Sequence, residues 1–148
     1  MKKIEMKTGS KLSILLVDDE QDIRETLSAF LEMMGVFESI IEAFDGGDAI
    51  RKCKNQTFDM IITDLNMPNV KGIDFITHVR RDEKRLALKE KSAVIILSAN
   101  VTGEEITKAV SFGITDIITK PCTAEEFISK VSEVLVKKKR NKIRIVKS

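Results

Sequence analysis

Three aspartates and a lysine sit where chemistry is done in parallel sheets. Asp59-Met-Ile-Ile-Thr-Asp64 is a short β-branched run that ends in a carboxylate, and Asn66, Pro68, Asn69 and Gly72 then enforce a loop. Two other apolar runs also end in charge: Leu12–Val17 in Asp18-Asp19, and Thr115–Thr119 in Lys120-Pro121. If the first and third strands are neighbours where the chain order reverses, Asp18, Asp19 and Asp64 crowd into one crevice at the strands' carboxyl ends. Such a cluster calls for a hard divalent cation, Mg²⁺ (or Mn²⁺), which takes a few carboxylates and a phosphoryl oxygen rather than a full protein cage. Lys120, and the hydroxyl of Ser98 at the end of a fourth run, add donors for an anionic oxygen. A cation, a lysine and a hydroxyl around one carboxylate are what nucleophilic attack on phosphorus requires. Taken singly these residues are ordinary turn and surface groups; their joint placement carries the reading.

The elements that position them follow from periodicity. Strands are predicted at 12–17, 39–44, 58–63, 93–97 and 115–119, nearly all apolar, as in a sheet buried on both faces. Between them Ile23, Leu27, Phe30, Leu31 and Met34 recur at helical spacing until Gly35, and Asp45-Gly-Gly caps a second helix. A third runs from Gly72 to about Asp82, followed by a charged stretch, 83–91, of uncertain structure. Thr102 with Glu105, and Thr123 with Glu126, have capping-box spacing at the starts of the fourth and fifth helices. Five alternating strands and helices imply a right-handed, mainly parallel α/β sheet covered on both faces.

Composition supports one soluble domain. The chain has 148 residues, 43% hydrophobic and 32% charged. No apolar run reaches membrane-spanning length, and Leu12–Val17 is too short for a signal peptide, so a cytoplasmic location is expected. Cys53 and Cys122 fit neither a disulfide framework nor a zinc site. The net charge of +2 conceals an asymmetry: residues 1–11 and 137–148 together carry +10, leaving −8 for 12–136. An acidic core is a poor nucleic-acid surface and favours a bound cation or a basic partner.

With these residues in view the chain resembles a CheY-like receiver domain of the two-component response regulators over roughly Leu12–Leu135. The resemblance rests on Val17-Asp18-Asp19-Glu20, Asp64-x-x-Met67-Pro68 with Gly72, Ser98-Ala99 and Lys120-Pro121. It implies a five-stranded, doubly wound, flavodoxin-like sheet of strand order 2-1-3-4-5. It also implies Asp64 as phosphoacceptor, Asp18, Asp19, Asp64 and the Asn66 carbonyl around Mg²⁺, and Ser98 and Lys120 on the phosphoryl oxygens. The implied function is that of a single-domain regulator: Asp64 is loaded by a histidine kinase or histidine phosphotransfer protein, and binding to a separate downstream protein switches. The regulator itself promotes its phosphorylation and dephosphorylation, and no output domain is expected. A cis Lys120-Pro121 peptide is expected too. Two residues depart from the family pattern: Ile117 stands where an aromatic is usual, and Cys122 where Phe is common. Switching is therefore expected to use the Ser98 loop and the helix starting near Thr102.

Rival readings have specific costs. An aspartate-nucleophile phosphatase of the haloacid-dehalogenase kind needs Asp two residues after its nucleophile, where this chain has Asn66, which cannot do that proton work. An idle interaction module would have no need to keep Asp18, Asp19, Asp64 and Lys120 together. His78 lies within the third helix with no neighbouring acid in sequence, so the phosphoryl-donating histidine is assigned to another protein. The chain is divided into a basic extension (1–11), the receiver (12–136) and a basic tail (137–148). Like charges at Lys137–Arg140 predict a tail that frays, either solvated or in electrostatic contact with nucleic acid, a membrane or an acidic partner.

Overall fold

The computed structural model describes residues 2–99 and 103–147. Its elements in order are β1 (Lys2–Met6), β2 (Ser13–Val17), α1 (Gln21–Met34), β3 (Ser39–Ala43), α2 (Gly46–Asn55) and β4 (Met60–Asp64). There follow α3 (Gly72–Arg85), β5 (Ala93–Ser98), α4 (Gly103–Ser111), β6 (Ile117–Thr119), α5 (Ala124–Lys138) and β7 (Ile143–Lys147). The five central strands are parallel in the order β3-β2-β4-β5-β6. Counting from β2, that is the expected 2-1-3-4-5, with the reversal of chain order falling between β2 and β4.

Alternation along the buried strands splits the core in two. Ile14, Leu16, Met60, Ile62, Ile95 and Leu97 face the side covered by α1 and α5, where Leu31, Phe127 and Val131 are buried. Leu15, Val17, Ile61, Val94 and Ile96 face α2 and α3 through Ala49, Phe75 and Ile76. Each fully buried aliphatic side chain contributes about 1.5–3 kcal/mol. Helix ends follow the sequence signals: Gly35 closes α1 at φ 68°, the Asp45 side chain accepts the Asp48 amide, and Thr123 and Glu126 form the expected capping box. Thr102, partner of Glu105 in the other predicted box, lies outside the described residues.

Helix α3 overruns its predicted end by three residues. Glu83 is the reason. It is buried, takes Arg80 at 2.7 Å, and accepts the Ser92 amide at 2.7 Å, so the charged stretch is tied down locally. Ala87, at φ 51°, then turns the chain toward β5.

The basic termini correct the sequence reading. They do not fray: β1 and β7 pair antiparallel in a second, two-stranded sheet, with Ile4 opposite Ile145 and Met6 opposite Ile143. Ile4 and Ile143 are buried in the same cluster as α1 and α5. The expected self-repulsion is answered by groups distant in sequence. Lys137 and Lys138 reach Asp116 at 3.1 and 3.6 Å, Lys142 reaches Asp59 at 2.7 Å, and Arg144 reaches Glu5 at 3.0 Å. Lys139 is buried and donates to the Lys91 carbonyl. A tail whose cations are so engaged has few left for nucleic acid or a membrane. Among the described residues no helix is long and apolar enough to cross a membrane.

Candidate functional site

Register brings the predicted site residues together. Val17 pairs with Thr63 and Asp64 with Leu97, while Ser98 pairs with Thr119, so Asp18, Asp64, Ser98 and Lys120 leave four adjacent strands at nearly one level. The carboxylates of Asp18, Asp19 and Asp64 have oxygens within 4.8 Å of one another. Asp18 is fully buried, Asp64 nearly so, and Asp19 open to solvent.

Lys120 locks the floor of this crevice. Its Nζ lies 2.6 Å from Asp18 Oδ2 and 2.6 Å from Asp64 Oδ2. The Lys120-Pro121 peptide is cis, as expected, and the Lys120 amide donates to the Ser98 carbonyl, which holds the backbone just after β6 against β5. Burial disfavours the charged amine, but the two carboxylates outweigh burial and hold its pKa above the ordinary lysine value. Burial acts the other way on Asp18 and raises its pKa, although Lys120 and the Glu20 amide oppose the shift. The remaining oxygens are tethered by the backbone: Asp18 Oδ1 accepts the Glu20 amide and Asp64 Oδ1 the Asn66 amide, each at 2.9 Å.

The loop after β4 is held close to this floor. The Gly72 amide bonds to the Leu65 carbonyl, and a Cβ at residue 72 would lie 2.0 Å from the Asp64 carbonyl oxygen. Only glycine permits that approach. Asn69 turns the loop at φ 68°, and Leu65 and Met67 are buried beneath it. Gly46 does a similar job from α2, since a Cβ there would meet the Val70 carbonyl oxygen at 2.5 Å.

Three carboxylates facing one ammonium leave two negative charges, which suits a divalent cation chemically. The donor set is all oxygen and one side of it is open, at Asp19. Ser98 is fully buried at the end of β5, one strand from Asp64. Ile117 is half-buried opposite Ile96 in β6, so no aromatic ring stands behind Ser98 at that position. His78 is about 9 Å farther along α3 than Gly72, at 1.5 Å per residue. Its charged surroundings also differ from the sequence expectation: Asp82, one turn on, lies 3.3 Å from its Nε2. Sequence reasoning missed Arg24, which donates to the Asp18 carbonyl at 2.7 Å and pairs with Glu42 at 3.2 Å, steadying the loop that presents Asp19. The only signal was a cation in the first turn of α1 after Asp18-Asp19.

The family model described as the response regulator receiver domain matches residues 14–132. The chain belongs to that receiver family. Among curated relatives it is 32% identical to chemotaxis protein CheY-3 of Vibrio cholerae over 126 residues, 85% of this chain and 93% of that one. It is likewise 32% identical to CheY of Pseudomonas aeruginosa over 83% of this chain and 95% of the relative. Among solved structures it resembles V. cholerae CheY4 with a TM-score of 0.72 at 28% identity, covering 85% of this chain and all of that one. The receiver of Saccharomyces cerevisiae Ssk1, solved with the phosphotransfer protein Ypd1, gives 0.73 at 25% identity over 86% and 90% of the two chains. CheY in the CheX–CheY–BeF₃–Mg²⁺ complex of Borrelia burgdorferi gives 0.74 at 25% identity over 86% and 92%. This receiver therefore has a phosphoryl-accepting role in two-component signalling.

Proposed function

We propose that Asp64 is the phosphoacceptor of this receiver and that Asp18, Asp19, Asp64 and the Asn66 carbonyl hold Mg²⁺ (or Mn²⁺) beside it. The observation that carries the reading is the Lys120 ammonium, 2.6 Å from both buried carboxylates at the carboxyl end of the sheet. The cation, when bound, screens the repulsion between the Asp64 carboxylate and the incoming phosphoryl oxygens. The chain's own groups do the rest. The Asn66 amide orients the Asp64 carboxylate. An Asp64 oxygen forms the new P–O bond as the P–N bond of a phosphohistidine breaks, and the electron pair of that bond returns to the imidazole. Lys120 then exchanges a carboxylate for a phosphoryl oxygen, with the Ser98 hydroxyl as a second donor. The same groups promote hydrolysis of the acyl phosphate by water.

The donor is a histidine kinase or a histidine phosphotransfer protein, and the product state alters binding to a separate protein. A cleft of about 470 Å³ beside Lys120 and Pro121, lined by Ile23, Phe30 and Cys122, offers apolar surface next to the crevice for the donor. The complex of the Ssk1 receiver with Ypd1 supports that class of partner. Free Cys53 and Cys122 are consistent with a cytoplasmic setting.

Incubation with Mg²⁺ and acetyl phosphate tests the assignment. An acid-stable, base-labile adduct is expected on the wild type, lost in Asp64→Ala and in the presence of a chelator. Undiminished labelling of Asp64→Ala overturns it.

A further inference from the structure

The opposite end of the sheet has a cleft of its own, of about 470 Å³, between the start of β4, the end of α3, the loop before β5 and the segment after α5. That lies within the roughly 300–1,000 Å³ usual for small-molecule sites. Buried Phe58, Ile61 and Val79, with Leu88 and the exposed Leu86, supply its apolar lining.

Its charges do not balance once internal pairs are set aside. Lys11 and Lys142 are spent on Glu38 and Asp59, at 3.3 and 2.7 Å. Glu83 and Asp82 are held by Arg80 and Arg85, at 2.7 and 3.5 Å. Lys139 is different. It is only 3% exposed, yet among the described residues its ammonium meets no carboxylate within ion-pair distance, and the one hydrogen bond that ammonium makes is to the Lys91 carbonyl at 2.9 Å. An ammonium has three N–H donors, and leaving it buried without a counter-charge is costly. Burial lowers its pKa, against the pull of Asp59 and Glu90 farther off. Cys53 supplies no anion, since burial pushes its thiol up to about 12. Lys89 and Lys91, both exposed, add positive charge at the rim, against Glu90, which is engaged by Asn141.

We infer that this cleft is a binding site for a small organic anion with an apolar body, its anionic head on Lys139 and its body against Phe58, Val79 and Leu86. The head supplies the counter-charge that the chain omits, and the body covers apolar surface that is otherwise left to water. The site is separate from the phosphoryl crevice and does not depend on that assignment.

Titration of the full ¹⁵N-labelled chain with n-hexanoate, followed by amide chemical shifts, tests this. Saturable shifts are expected at Leu86, Leu88, Ser92 and Lys139, with none from n-hexylammonium at equal concentration and weaker binding of inorganic phosphate. Lys139→Met should lower hexanoate affinity at least tenfold. Leu86→Glu, at a side chain that is 53% exposed, should lower it several-fold and decides the matter if Lys139→Met fails to fold. Absence of saturable shifts overturns the inference. So do equal shifts from hexylammonium, phosphate binding as tight as hexanoate, or unchanged affinity in either folded variant.

Discussion

The two ends of the central sheet use the same ion pairs to opposite effect. At the carboxyl end, one ammonium is shared by Asp18 and Asp64 while Asp19 stands beside them, so negative charge is left over. At the other end of β6, Asp116 is 2% exposed and surrounded by Lys130, Lys137 and Lys138 at 3.4, 3.1 and 3.6 Å. There the carboxylate is over-compensated, and α5 is pinned to the sheet just before the chain turns into β7. The first arrangement leaves uncompensated carboxylate charge beside a shared ammonium. The second is an anchor. The difference lies in counting charges, because the residue types are identical.

Stability should separate the two regions most sharply at the terminal sheet. Ile143→Ala removes a buried side chain that joins β7 to the main core, and should cost about 2–4 kcal/mol in denaturant unfolding. Aspartyl labelling of the folded fraction should be unchanged. Labelling that falls in step with stability would join the two ends that the comparison separates.

Asp116→Asn should come next, at about 1–3 kcal/mol. Removing one side of a buried ion cluster leaves the others unpaired, but lysines that are a quarter to half exposed are partly screened. Burial alone would raise the Asp116 pKa, and the three lysines outweigh it, so its folded pKa lies below the ordinary 3.8. A depressed folded pKa contributes stability that is fully present above the unfolded value and is lost as pH falls through the folded one. The gap between wild type and Asp116→Asn should therefore be constant at neutral pH and close below about pH 4. A gap that persists at pH 2 would show that packing, not charge, holds Asp116.

These two regions were unequally legible in the sequence. The carboxylate crevice could be read because each of its residues ends an apolar run, and strand ends in a parallel sheet converge whatever the side chains between them. Asp116 and Lys139 could not. Their partners lie 21 residues away at Lys137 and 48 away at Lys91, along helical and loop paths that periodicity does not connect. The terminal strands failed for a similar reason. Ile4 and Met6, or Ile143 and Ile145, are each too few to dock alone, and only their mutual pairing makes an apolar face. The like charges of 137–142 look destabilising until Asp116, Asp59 and the Lys91 carbonyl are placed beside them. Even the α3 overrun follows this rule, since Glu83 reads as solvated until Ser92 returns to meet it.

The smallest effect on stability should come from Asp19→Asn, which is also the sharpest probe of leftover charge. Asp19 is exposed and among the described residues has no ammonium of its own, so neutralising it relieves repulsion with Asp18 and Asp64. Without divalent cation its unfolding free energy should stay within about 0.5 kcal/mol of the wild type, or rise slightly, as for exposed surface changes. With Mg²⁺ the order should reverse. A ligand that binds only the folded state stabilises it by RT ln(1 + [L]/Kd), about 2.7 kcal/mol at one hundred times Kd. A tenfold loss of affinity removes about 1.4 kcal/mol of that. Paired melts with and without Mg²⁺ should thus show a cation-induced shift in the wild type that shrinks by roughly half in Asp19→Asn. Equal shifts in both proteins would mean that Asp19 holds no cation, and that the excess negative charge at this end of the sheet serves some other group.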